Sequence, residues 1–328
     1  MTELSTSSLT LDCEREAEII SARIRDILRN DLKRRGLVIG LSGGIDSSVT
    51  AALAVRAIGR ERVLGLEMPE FHSSKETPEL SSTLVRHLGI ESRQIDISPI
   101  LEAVGFYADY DEAVRMVIPE YGTGWRSKIV ISNIFDNEGF SLHSIVAKSP
   151  DGSMHQKRLP LKPYLEIVAA TNCKQRIRKM LEYYHADRHN YAVAGTPNRL
   201  EYDQGFFVKL GDGAADIKPI AHLYKSQVYQ MAEHLGVPAE IRRRPPTTDT
   251  YSLQQGQDEF YFSLPYGIMD LCLYAKNMGV PAEGAAAACG LTPEQVQKVF
   301  REIDTKRSTT RYLHLGALTI QKIPEINA

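Results

Sequence analysis

The sequence predicts an α/β fold, a doubly wound parallel sheet interrupted by a β-rich insertion. Three observations carry this. Leu37 to Leu41 is a short, almost wholly apolar run without helical period, as a strand buried on both faces should be. The turn Ser42-Gly43-Gly44 follows, and then Asp46, Ser47 and Ser48 supply helix-starting side chains for an alanine-rich helix, Val49 to Ala57. Further strand and helix candidates then alternate at the interval of βαβ units.

In chain order, residues 1–11 read as a loose tail. Glu14 to Arg35 places Ala17, Ile20, Ile24, Ile27, Leu28 and Leu32 at near-helical spacing, a helix for packing on the sheet. After the first strand and helix, Arg62–Met68 is a second strand, Glu76–Leu88 a helix and Gln94–Ile97 a third strand. From 106 to 163 the pattern changes. Ser127–Asn133 and Ser141–Lys148 are β-rich, Pro150-Asp151-Gly152 is a turn, and Met154–Leu159 completes a hairpin. This predicts an antiparallel insertion within one domain spanning 1–328. Leu165–Tyr184 reads as a long helix and Tyr191–Gly195 as a buried strand. Gly205 to Ile217 is dense in glycine and aspartate, a loop at the strand ends. Helices are expected at Leu223–Leu235, Tyr266–Asn277, Pro281–Cys289 and Pro293–Asp304.

Composition excludes several classes. Of 328 residues, 43% are hydrophobic and 24% charged, ordinary globular values, and the net charge of −2 offers no nucleic-acid footprint. Cys13, Cys173, Cys272 and Cys289 are too widely spaced for a zinc site or a disulfide framework. Met1–Asp12 is polar and no apolar run is long enough to span a bilayer, so a soluble cytoplasmic protein is expected, with no membrane partner.

The strand–turn–helix unit is an anion site in principle, because free amides converge at the positive end of a helix dipole. It is not a Walker loop, since Ile45 and Asp46 stand where that loop needs lysine and a hydroxyl residue. Nor do Gly40, Gly43 and Gly44 spell the dinucleotide fingerprint. Asp46 suits magnesium, a hard cation that favours carboxylate and phosphate oxygens. The missing lysine must then come from elsewhere in the chain.

Ser42-Gly43-Gly44-Ile45-Asp46-Ser47 resembles the pyrophosphate loop of the ATP pyrophosphatases. Four further blocks extend the resemblance: Asn172–Arg178; Gly195–Glu201 with Gly205–Ile217; Leu223–Gln227; and Pro246–Asp249. Together they resemble the ammonia-dependent NAD synthetases over most of the chain outside the insertion. The resemblance implies an adenine-nucleotide α-hydrolase-like fold and amidation of nicotinate adenine dinucleotide through an adenylated carboxylate. AMP and pyrophosphate would leave. It implies ATP as co-substrate, Mg2+ on Asp46 and Glu201, and a homodimer. By the same route Ser42, Gly43, Gly44, Asp46, Ser47, Ser48, Met68, Thr196, Lys225 and Thr247 would bind ATP. Lys174, Arg176, Lys209, Asp212 and Asp216 would meet the acceptor, and Asp46, Asp212, Lys225 and Thr247 would be catalytic. Read alone, Lys225 is a solvated first-turn lysine and Arg176 a helix-surface arginine; the five ordered blocks favour the functional set. With no glutaminase residues, nitrogen would come from free ammonia or a separate amidotransferase. The competing readings are a same-fold amide ligase for another carboxylate, a tRNA-modifying pyrophosphate-loop enzyme, and a non-catalytic nucleotide binder. The second wants a basic face and paired cysteines, and the third is disfavoured by the retained Asp46, Glu201 and Lys225.

Overall fold

A computed structural model describes residues 4–74, 76–131, 135, 143–247, 250–253, 255–256, 261–321 and 323. The ends of the two expected strands at Asn133 and Ser141, with Thr248, Asp249 and Gln254, lie outside the described residues.

Helix α1 (Cys13–Asp26), prolonged by a π turn to Asp31, precedes β1 (Leu37–Gly40). Helix α2 (Ile45–Ile58) leads to β2 (Val63–Glu67), α3 (Glu76–Leu88) and β3 (Glu91–Gln94). Then come α4 (Ser98–Ala103), α5 (Phe106–Arg115), and the strands β4 (Arg126–Ile131), β5 (His143–Lys148) and β6 (Met154–Arg158). The 29-residue α6 (Leu161–His189) returns the chain to β7 (Ala192–Ala194). After it lie α7 (Arg199–Gln204), α8 (Lys225–His234), α9 (Ala239–Arg243), α10 (Tyr266–Asn277), α11 (Ala282–Cys289) and α12 (Pro293–His314).

The main sheet runs β3-β2-β1-β7, all parallel, and β4-β5-β6 form a separate antiparallel sheet. Alternation along β1 sorts the two layers: Leu37 and Ile39 face α1, α2 and α8, whereas Val38 faces α5, α6 and the antiparallel sheet. A third core joins α10, α11 and α12. The doubly wound sheet and the β-rich insertion are therefore both present.

Three expectations need correction. The third strand is Glu91–Gln94 rather than Gln94–Ile97. At the sheet edge pairing needs only backbone, so polar residues form the strand, while Ile95 and Ile97 run on, donating to the carbonyls of Glu67 and Pro69. The stretch from Phe106 opens with a helix, because Phe106, Tyr110, Ala113 and Val114 recur at helical spacing and are all buried against the core. The N-terminal stretch is docked: Leu4 and Leu9 sit in the C-terminal core, and Gln230 bonds the backbone of Leu9 and Leu11.

Candidate active site

The turn between β1 and α2 is built for close approach. Gly43 has φ +66°, and a Cβ there would lie 3.0 Å from Thr77 O and Leu80 Cβ. The loop's hydroxyls brace its shape: Ser47 and Ser48 Oγ donate to Gly44 O at 3.1 and 2.8 Å, and Gly44 N donates to Ser42 Oγ at 3.3 Å. Among the described residues no side chain caps the start of α2, so its first amides face outward for an anion.

Three distant segments meet beside this loop. Lys225, the first residue of α8, is 1% exposed and places Nζ 2.5 Å from Asp46 Oδ2. Asp270 from α10 fixes that helix start, accepting from the Lys225 and Ser226 amides at 3.2 and 2.7 Å. Asn198 caps α7, accepting from Leu200 N and Glu201 N, and donates Nδ2 to Asp46 Oδ1 at 3.1 Å. Glu201 completes the capping box on Asn198 N. Burial works against the Lys225 charge, but the Asp46 and Glu201 carboxylates outweigh it and hold the ammonium above the ordinary lysine range.

A cavity of about 820 Å³ opens over this cluster. Ser42, Gly44, Asp46, Ser47, Met68, Thr196, Glu201, Asp212, Lys225 and Thr247 all line it. Asp212 Oδ1 accepts from Val208 N at 2.7 Å. Asp212 is solvent-exposed where it opens onto the cavity, and the protein atoms crowded around its carboxyl push it above the usual aspartate range.

Six of the expected residues lie outside the lining. Gly43 is buried in the turn against Thr77 and Leu80, and Ser48 is buried with its Oγ on Gly44 O. Lys174 is fully buried, with Nζ 2.7 Å from both Glu70 Oε1 and Thr250 O, and its side chain faces the core rather than the cavity. Arg176 is on the exposed face of α6 and donates to Lys209 O at 3.3 Å. Lys209 Nζ is engaged by the carbonyls of Tyr312 and Leu315, both at 2.8 Å. Asp216 accepts from Val193 N at 2.7 Å and so ties the glycine-rich loop to β7.

The structure adds residues that sequence reasoning passed over. Arg244 reaches across the phosphate loop, with Nη1 3.5 Å from Ser42 O and Nη2 3.2 Å from Thr77 Oγ1. Its signal was the basic, proline-bearing run Arg242–Pro246. One face of α6 lines the cavity turn after turn, at Tyr164, Val168, Thr171, Gln175, Arg178 and Glu182. Glu182 lies close against Gly40, where an added Cβ would meet Oε1 at 2.7 Å, and pairs with Lys179 at 2.5 Å. Ser252, Leu253 and Gln255 lean on the insertion: Leu253 N donates to Ser127 O at 3.1 Å, Ser127 N to Ser252 Oγ at 2.9 Å, and Gln255 Nε2 to Ile129 O.

The parallel sheet, the Ser-Gly-Gly loop at its carboxyl edge and the lysine brought to that loop from a distant helix define a nucleotide-binding α/β protein of the pyrophosphate-loop class. A family model described as NAD synthase matches residues 18–120 and 111–311. An NH(3)-dependent NAD(+) synthetase of Rhizobium meliloti is 56% identical over 98% of this chain and 96% of its own length. One of Thermotoga maritima is 36% identical over 73% of this chain and 79% of its own. Among solved structures, an NH3-dependent NAD synthetase from Campylobacter jejuni has the same fold, with TM-score 0.62 and 22% identity over 95% of this chain and 100% of that one. The chain belongs to the NAD synthase family.

Proposed function

We propose that this chain catalyses the ATP-dependent amidation of nicotinate adenine dinucleotide to NAD, with ammonia as nitrogen donor and AMP and pyrophosphate as products. The observation that carries the reading is the convergence of Asp46, Glu201 and Lys225 on the phosphate loop from three separate segments. Relatives more than half identical over nearly the whole chain, described as NH(3)-dependent NAD(+) synthetases, support the same reaction.

In the first step the acceptor carboxylate attacks the α-phosphorus of ATP, the α–β bond breaks, and charge grows on the departing pyrophosphate. Lys225, the uncapped amides of α2 and the Arg244 guanidinium supply preorganised positive charge for it. Magnesium fits this donor set, since it takes one or two carboxylates and leaves its other positions to water and phosphate. Asp46 and Glu201 would hold it, and it would neutralise the phosphates. In the second step ammonia attacks the acyl carbon and AMP leaves with the carboxyl oxygen. Asp212, with its affinity for protons raised, suits the acceptance of the proton that ammonium must lose.

The assembly and compartment are part of the proposal. Leu161, Leu165, Met180 and Tyr184 of α6 are all more than half exposed, an apolar surface suited to a second copy of the chain in a homodimer. Four free cysteines suit a reducing cytoplasm. Among the described residues no helix is long and apolar enough to cross a membrane. Nitrogen would arrive as free ammonia or from a separate amidotransferase. The test is to incubate the purified chain with ATP, magnesium, ammonium and nicotinate adenine dinucleotide; NAD formation is expected, and its absence in a folded, ATP-binding preparation refutes the acceptor assignment.

A further inference from the structure

Helix α6 acts as a ruler along the cavity. Its lining residues begin at Glu182, against Gly40 of the phosphate loop, and end at Tyr164, eighteen residues earlier. At 1.5 Å per residue this is about 27 Å. The two ends differ chemically. Around the loop stand Lys179, Arg178, Lys225 and Arg244. At the far end, Tyr164 packs against His143 in a tilted ring contact, centroids 4.5 Å apart and planes 36° from parallel. His143 opens β5, Ile131 closes β4 directly opposite in the antiparallel register, and both line the cavity. Burial holds the His143 imidazole below its ordinary pKa, which favours the neutral ring.

The charges near this end, Lys306 and Glu302, are paired with each other at 3.3 Å, so the aromatic wall has little to offer a phosphate and much to offer the face of a heterocycle. The reacting end of the acceptor must lie beside the α-phosphate of ATP, near the loop. ATP's own adenine is only one ribose from the α-phosphate and stays nearer the loop, whereas the acceptor's other base lies beyond a pyrophosphate and two riboses and has the reach for the far end. We infer that His143 of the insertion, packed against Tyr164, is a specificity wall that takes the non-reacting base of the dinucleotide acceptor. The inference rests on the acceptor reading above. It gives the insertion a part in recognition, with β4 and β5 delivering Ile131 and His143, respectively, to the cavity.

The test compares two acceptors, nicotinate adenine dinucleotide and nicotinate mononucleotide, which lacks the second base. His143→Ala should raise KM for the dinucleotide by roughly five- to a hundredfold, the range of one base–aromatic stack. KM for ATP should hold, and KM for the mononucleotide should not change. His143→Phe, which keeps a ring, should recover most of the loss. Tyr164→Leu should repeat the His143→Ala pattern and serves in its place if that variant loses its thermal transition. An unchanged dinucleotide KM in a folded variant overturns the inference, as does an equal rise for both acceptors. Failure of the wild type to amidate the dinucleotide at all would instead refute the acceptor reading.

Discussion

Lys225 Nζ and Asp46 Oδ2 stand 2.5 Å apart although 179 residues separate them in sequence, and Lys225 has almost no solvent contact. The pair joins the start of α8 to the start of α2 and thereby supplies the phosphate loop with the lysine its own sequence lacks. Removing one member of a buried pair leaves the other charge uncompensated. Asp46→Asn should therefore lower turnover by two orders of magnitude or more, about 3 kcal/mol of transition-state stabilisation, and also lower the thermal midpoint. Glu201→Gln should show the loss of turnover with a smaller loss of stability. Steady-state kinetics and calorimetry on both variants check this; wild-type turnover in both contradicts it.

Arg244 lies over the loop from the opposite side, donating to Ser42 O and Thr77 Oγ1. Arg244→Ala should raise KM for ATP or lower turnover by roughly ten- to a hundredfold, the scale of one charge-assisted phosphate contact. Arg244→Lys should recover part of the effect. The acceptor KM, measured at saturating ATP, should be less affected.

Much of this was legible in the sequence, for a physical reason. The phosphate loop, its strand and the α8 lysine are set by local patterns: apolar runs, glycine turns and helix starts. Asp46, Glu201, Lys225 and Thr247 all line one cavity. Lys174, Arg176, Lys209 and Asp216 do not line it, because what decided their environment was tertiary. Lys174 is drawn inward by Glu70, 104 residues away, and Asp216 is spent on the β7 backbone. Helix α5 was missed because the β-rich runs that follow it coloured the whole stretch, although the spacing of Phe106, Tyr110, Ala113 and Val114 was helical. The α6 face that lines the cavity was hidden because its residues, Thr171 and Gln175 among them, carry no chemical signature until the helix is placed.

Asp270 gives a pH signature. It is fully buried, and desolvation pushes its carboxyl up to about 6 although it accepts the Lys225 and Ser226 amides. A carboxyl raised in the folded state favours folding most below its unfolded pKa, and that advantage is lost as pH rises through the folded value. Relative to Asp270→Asn, the wild type should lose about 3 kcal/mol of stability between about pH 4 and pH 7, since each tenfold gain in proton affinity on folding is worth about 1.36 kcal/mol. Denaturant unfolding of both proteins across that range checks it; parallel stability curves contradict it.

Ser252 ties its segment to strand β4, and Gly256 beyond it bridges Thr247 of the cavity lining. Ser252→Ala leaves the buried Ser127 amide without its partner and should cost about 1–3 kcal/mol. The same variant should lower turnover while its KM for ammonium holds. A stability loss without any change in turnover would separate the insertion from the chemistry of the loop.

The bond broken in ATP is the most direct point of contact with experiment. Turnover of ATP, ammonium and nicotinate adenine dinucleotide by the purified chain should yield AMP, pyrophosphate and NAD in equal amounts, measured by chromatography with mass detection. With oxygen-18 in the acceptor carboxylate, the label should appear in AMP, because the acyl–oxygen bond breaks after adenylation. ADP and inorganic phosphate as the stoichiometric products, or AMP free of the label, would contradict it.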